Sequence, residues 1–234
     1  FDTQMIKDLA DAFEKMDTSD DVRAIVLCSE GKHFCAGNNF GSATRNEERA
    51  DRKVEDGNPL YAAAVRLFNT KTPVVGAIQG AAVGGGFGLA IMPDFRVVCP
   101  EARFTANFVK LGFHPGFVLT HTLPRLIGQQ KASMLFLTGR RISGQEAFDI
   151  GLADVITDKE NLRAEAIKLA AEIAENAPLA VVSVRATMRA GIAEAVQQQT
   201  DHEGLEQHRL QQTADHREGV KAVSERRPGN FIGA

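Results

Sequence analysis

Two short glycine-bearing loops hold the residue types from which an anion-stabilising site can be built. The first, Gly31-Lys32-His33-Phe34-Cys35-Ala36-Gly37-Asn38-Asn39, follows the β-branched run Val22–Cys28. The second, Gly84-Gly85-Gly86, comes soon after another such run, Val74–Ile78, and opens an apolar stretch. Small residues at the C-terminal end of a strand let a ligand approach the backbone closely. Free N–H groups at the start of a helix favour negative charge. Two such loops together would aim two N–H donors at one oxygen, which is an oxyanion hole. The competing reading is that the glycines only permit close packing of helix on strand. No dinucleotide fingerprint or Walker loop can be read here, because position 89 is Leu and no Gly-Lys-Ser/Thr follows.

Candidates for moving protons are few. His114, in Gly112-Phe113-His114-Pro115-Gly116, is the strongest, since an imidazole titrates in the range a general base needs near neutrality. His33 lies nearer the first loop and reads as a contact to a ligand or to solvent. Cys35 is a possible nucleophile with a histidine partner, but packing is the better reading for a single apolar-flanked thiol. Asp94 closes the glycine-rich stretch and reads as a structural hydrogen-bonding residue. His202, His208 and His216 are spaced by six and eight, which misses the i, i+3 or i+4 of a helical metal pair. They read as solvated, and no metal is expected.

These loops need elements to hold them. Met5, Leu9, Ala12, Phe13 and Met16 recur at helical spacing, so 2–16 reads as an amphipathic helix. Strands are expected over 22–28, 74–78, 95–99, 103–106 and 153–156, and helices over 61–68 and from the glycine turn to Met92. Ser143-Gly144-Gln145-Glu146 is a capping box, in which Ser and Glu side chains satisfy each other's backbone N–H groups. Leu162, Ala166, Leu169, Ala170 and Ile173 form an apolar stripe, and two or three more helices should fill 179–226. Alternating strands and helices followed by helices alone indicate an α/β fold with a helical C-terminal part. The expected division is a core over 1–175 and a helical region over 176–234.

Bulk composition narrows the function. With 27 Lys+Arg against 30 Asp+Glu and a net charge of −3, the 234-residue chain has no basic excess for a polyanion. Trp is absent and Tyr61 stands alone, so no platform for stacking bases exists. Three cysteines suit a reducing compartment, and a cytoplasmic location is expected. Phe1–Met16 holds no signal-peptide core, and the lack of an initiating Met leads us to expect chain upstream of Phe1. Glycine is the outlier at 21 residues, above the ~7% of average usage, with six of them between Gly76 and Gly88. Val74–Met92 is nineteen uncharged residues, approaching a membrane span. Pro73, Pro93, Gln79 and the glycines argue instead for strand, turn and buried helix. The stretch 42–58 carries nine charged residues and reads as solvated and mobile.

Cys28–Asn39 (CSEGKHFCAGNN) and Ile78–Asp94 (IQGAAVGGGFGLAIMPD) together resemble the two signatures of the crotonase, or enoyl-CoA hydratase/isomerase, family. Leu137–Val155 and Arg227–Gly233 resemble its later segments. The resemblance implies a spiral of strand–strand–helix repeats with a helical C-terminal trimerisation region, a homotrimer or homohexamer, and a coenzyme A thioester as substrate. It implies no tightly bound cofactor. It makes Ala36 and Gly85 the oxyanion donors and places His114 beside the acyl group. His33, Phe34, Gly37, Asn38, Asn39 and Gly84 become substrate or CoA contacts, and 42–58 the loop over the acyl pocket. The family's hydratases place glutamates where this chain has Gly88 and Phe108, and commonly an Asp at Asn39. The resemblance therefore points to an acyl-CoA enzyme whose reaction is not standard hydration. The alternative is a non-catalytic acyl-CoA-binding homologue.

Overall fold

A computed structural model describes residues 2–37 and 59–234. The expected charged loop over 42–58, with Asn38 and Asn39, lies outside them. Along the chain run α1 (Thr3–Asp17), β1 (Ile25–Leu27), α2 (Pro59–Phe68), β2 (Val74–Ile78), β3 (Ala81–Val83) and α3 (Gly85–Ile91). Next come β4 (Phe95–Val98), β5 (Arg103–Thr105), a 3₁₀ helix (Asn107–Leu111), α4 (Leu119–Ile127), α5 (Gln129–Thr138), β6 (Arg141–Ser143), α6 (Gly144–Asp149) and β7 (Val155–Ile156). Four helices follow: α7 (Leu162–Ala174), α8 (Pro178–Met188), α9 (Ile192–Gln211) and α10 (Ala214–Ser224). No described helix is long and apolar enough to cross a membrane.

The strands divide between two sheets. One is all parallel in the order β1-β2-β4-β7, and the other has the order β3-β5-β6. The middle turns of the chain each give one strand to each sheet. The chain leaves β2, bends at Gln79-Gly80 and enters β3, then does the same from β4 to β5 through Pro100-Glu101-Ala102. Gly80 makes its bend possible: its φ is +56, and a β-carbon there would lie 2.1 Å from the Lys32 carbonyl. A helix completes each turn, so the architecture is a spiral of strand–strand–helix units.

β2 is buried at all five positions, which explains its continuous apolar sequence. Its register pairs Leu27 with Gly76 on one side and Gly76 with Arg96 on the other. The charged residue in that sheet is accommodated by hydrogen bonding. Arg96 is buried and donates to the carbonyls of Leu152, Pro93 and Asp94 and to the Asp154 carboxylate. Asp94, read from sequence as structural, accepts from Val74 N–H (2.8 Å), from Arg185 (2.8 Å) and from Arg189 (3.2 Å). It thereby ties the start of β2 to α8. The Ser143–Glu146 capping box forms as expected at the start of α6.

Three elements were not anticipated. β3 and β6 are three residues each and the 3₁₀ helix five, all too short to show a period. The strand expected over 22–28 pairs only over Ile25–Leu27.

Candidate active site

The two glycine loops lie against each other at backbone distance. The Phe34 and Cys35 N–H groups donate to the Gln79 and Ala81 carbonyls, and Val83 N–H returns a bond to Cys35. Cys35 thus pairs in parallel with Ala82, carrying Ala36 to the foot of α3. A β-carbon on Gly86 would lie 2.1 Å from the Cys35 carbonyl oxygen, and one on Gly37 would lie 2.7 Å from the Val83 oxygen. Only glycine fits at both points. Gly84 N–H is taken by the Thr105 carbonyl, and α3 begins at Gly85 with no side-chain cap. The N–H groups of Ala36 and Gly85 have no hydrogen-bond partner among the described residues.

His33 is exposed, and its Nδ1 accepts from Ala81 N–H at 3.1 Å, so in this arrangement the ring proton is on Nε2. The same loop is closed by Ser29, which donates to the His33 carbonyl and accepts from buried Gln79. Phe34 is buried in the main core, so its side chain serves packing. Cys35 is buried too, and burial pushes its thiol up, away from the thiolate a nucleophile requires.

Gly88 sits one turn after Gly85. A β-carbon there would meet Phe117, 2.7 Å from Cδ1, 2.8 Å from Cβ and 2.9 Å from the carbonyl oxygen. Phe108 is buried, with its ring 3.6 Å from where a Gly84 β-carbon would stand. It packs edge-on against Phe113 at 5.4 Å, which in turn meets His216 of α10 at 5.2 Å. His216 also bonds the Leu111 carbonyl through Nδ1 at 2.7 Å. The expectation of a solvated His216 is therefore corrected: it braces the 3₁₀ helix. His208 is exposed, and no cluster of metal-ligating side chains occurs among the described residues.

His114 is half-buried. Its Nδ1 lies 2.8 Å from the Pro115 carbonyl, which can only accept, so Nδ1 is the donor and, in the neutral ring, Nε2 carries the lone pair. The ring meets His202 of α9 edge-on at 5.8 Å. Its hydrogen bonds and ring contacts do not reach Ala36 or Gly85. The carbonyl of His114 accepts from Gln207 Nε2, and Gln207 Oε1 accepts from Tyr61. One turn back on α9, Glu203 is fully buried and accepts from Val118 N–H, Thr120 N–H and Thr120 Oγ1. Burial outweighs those bonds and pushes its carboxyl up to about 7. Sequence reading missed Glu203, Gln207 and Tyr61. Their signal was the i, i+4 spacing of Glu203 and Gln207, set in so polar a stretch that it read as a solvated face.

The model of the family described as enoyl-CoA hydratase/isomerase matches residues 1–234. The chain belongs to that family. Among relatives within it, the (E)-benzylidenesuccinyl-CoA hydratase of Thauera aromatica is 34% identical over 100% of this chain and 90% of its own length. The 1,2-epoxyphenylacetyl-CoA isomerase of Escherichia coli is 29% identical, again over 100% and 90%. The crystal structure of an enoyl-CoA hydratase/isomerase from Pseudoalteromonas atlantica superposes with a TM-score of 0.87. It has 28% identity and covers 99% of this chain and 90% of that one. Enoyl-CoA hydratase/isomerase family members of similar distance thus carry names for different reactions, so the chemistry of this one must be argued from its own site.

Proposed function

We propose that the chain acts on an acyl-CoA thioester, with its carbonyl oxygen held between the N–H groups of Ala36 and Gly85 as it becomes an enolate. The observation that carries this reading is the pair of N–H groups without a partner among the described residues, on two loops pressed together at Gly86 and Cys35. Charge grows on that oxygen during enolisation, and preformed donors stabilise it without reorganising. Each is worth ~2.7–4 kcal/mol in comparable sites.

The reaction proposed is isomerisation, hydrolysis, decarboxylation or C–C cleavage rather than standard hydration. The wall beside the donors is phenylalanine, from Phe117 on Gly88 and from Phe108 over Gly84, where hydration would call for paired carboxylates. His114 is the proposed proton carrier through Nε2. Gly37, Asn38, Asn39 and the exposed Nε2 edge of His33 would border the CoA, and Gly84 the thioester. A homotrimer or homohexamer in the cytoplasm is part of the proposal. The association, though not the location, draws support from α8, which has no buried residue and exposes Leu179 (87%), Val184 (63%) and Met188 (76%).

Acetoacetyl-CoA tests the site, because this β-keto thioester shows a near-ultraviolet enolate band when a site stabilises its enolate. The band is expected on addition of the protein; binding without a band, or no binding, overturns the oxyanion reading. The phenylalanine wall also favours a second reading, a non-catalytic acyl-CoA-binding protein. It predicts the band with no turnover across a panel of thioesters, and turnover of any one rejects it.

A further inference from the structure

Phe117 and Val118 both adopt left-handed backbone, with φ of +58 and +59. Bulky and β-branched residues avoid this region, so two in succession persist only where surrounding bonds over-determine them. Some of those bonds lie within the segment, where the Val118 carbonyl accepts from His121 and Thr122, and a further set comes from one helix. Gln199, Glu203 and Gln207 recur every four residues along α9 and face the 114–120 segment. Gln199 donates to Thr120 Oγ1 at 2.8 Å, Glu203 takes the N–H groups of Val118 (2.8 Å) and Thr120 (3.1 Å), and Gln207 holds the His114 carbonyl at 2.9 Å. Gly116 leaves room for this grip, since a β-carbon there would lie 2.0 Å from the Tyr61 hydroxyl oxygen.

What the grip produces is the seat of Phe117. The residue is 1% exposed and rests against Gly88, one turn from Gly85 on the same side of α3. Building on the oxyanion reading above, we propose that Glu203 is a positioning residue: it holds the Phe117–Val118 turn that seats Phe117 on Gly88 and so fixes the first turn of α3 and its Gly85 donor. Glu203 does not itself reach substrate. It is fully buried, and its two oxygens are occupied by three donors.

Glu203→Gln tests this, since the amide places an N–H₂ against a backbone donor while keeping the volume. The readouts are the enolate band of acetoacetyl-CoA and the affinity for free CoA, which lacks the thioester carbonyl. The band is expected to fall about tenfold while free CoA binding changes less than about twofold, the signature of misplaced donors. Adding Val118→Gly, which suits the left-handed turn without help, should restore most of the band. An unchanged band, loss of both readouts together, or no recovery in the double variant each overturns the proposal. If Glu203→Gln does not fold, Thr120→Val removes one of the three donors and keeps the carboxylate. A reduced band with intact CoA binding then supports the role, and an unchanged band refutes it. A wild-type chain with no band fails earlier, at the oxyanion reading itself.

Discussion

Phe117 stands where any side chain at position 88 would have to go. A β-carbon on Gly88 would lie 2.7 Å from its Cδ1 and 2.9 Å from its carbonyl oxygen. The contact involves backbone as well as ring, so rotating the phenylalanine does not clear it. Gly88→Glu alone should therefore cost about 1–3 kcal/mol through overpacking, despite the helix propensity gained. Pairing it with Phe117→Gly, which removes the ring and suits the positive φ, should recover part of that loss. Urea unfolding midpoints of the single and double variants, set against the parent chain, check both statements.

Gly86→Ala makes a sharper demand. Its β-carbon, whose position the backbone fixes, would come within 2.1 Å of the Cys35 carbonyl, which is backbone too. The loops must separate, so we expect a stability loss of roughly 3 kcal/mol and loss of the acetoacetyl-CoA enolate band. Thermal unfolding and ultraviolet difference spectra report the two effects separately.

Glu203 makes stability depend on pH in a defined direction. Its folded-state carboxyl is raised to about 7 from an ordinary value of 4.5, chiefly by burial. The folded chain thus holds this proton where the unfolded chain has lost it. The contribution is complete below about pH 4.5 and disappears as pH rises through about 7, a change of roughly 3 kcal/mol. Glu203→Gln should flatten that part of the stability profile between pH 5 and 8 (about those limits), measured by denaturant titration.

Asp94 is the shared anchor of Arg185 and Arg189, at 2.8 and 3.2 Å, and of the Val74 N–H. Asp94→Asn leaves two largely buried guanidinium groups beside a neutral amide. A loss of about 3 kcal/mol is expected. Proteolysis should then cut first near α8, which the aspartate ties to the core.

His33→Leu removes the acceptor of the Ala81 N–H, whereas His33→Asn keeps an oxygen near the Nδ1 position. Leucine should cost about 1 kcal/mol and asparagine less. Chemical denaturation of the two variants beside the parent chain compares them.

Much of this molecule was legible along the chain. The apolar run Val74–Ile78 is a strand over those same residues, and the Ser143–Glu146 pair caps the helix it announces. The apolar stripe from Leu162 to Ile173 is a helix, and three helices occupy the C-terminal part. The two glycine loops were legible as motifs through their residue types and spacing, and Gly37 also answers a local need, its φ of +94. Such features depend on periods, caps and backbone freedom, all of which act within a few residues.

What the tertiary structure alone decided is which distant groups meet. β3 and β6 are strands only because neighbouring strands pair with them, being too short to hold a period of their own. His216 read as a solvated charge-rich helix residue, yet it packs on Phe113 and bonds Leu111 about a hundred positions away. Glu203 lies in a polar stretch whose spacing was visible, but its burial comes from α4 and the 114–120 segment folding over it. Burial is a property of the assembled spiral rather than of the local sequence. That is why the sequence by itself determined the fold and the two loops, while the packed structure decided that phenylalanine, held from α9, stands beside them.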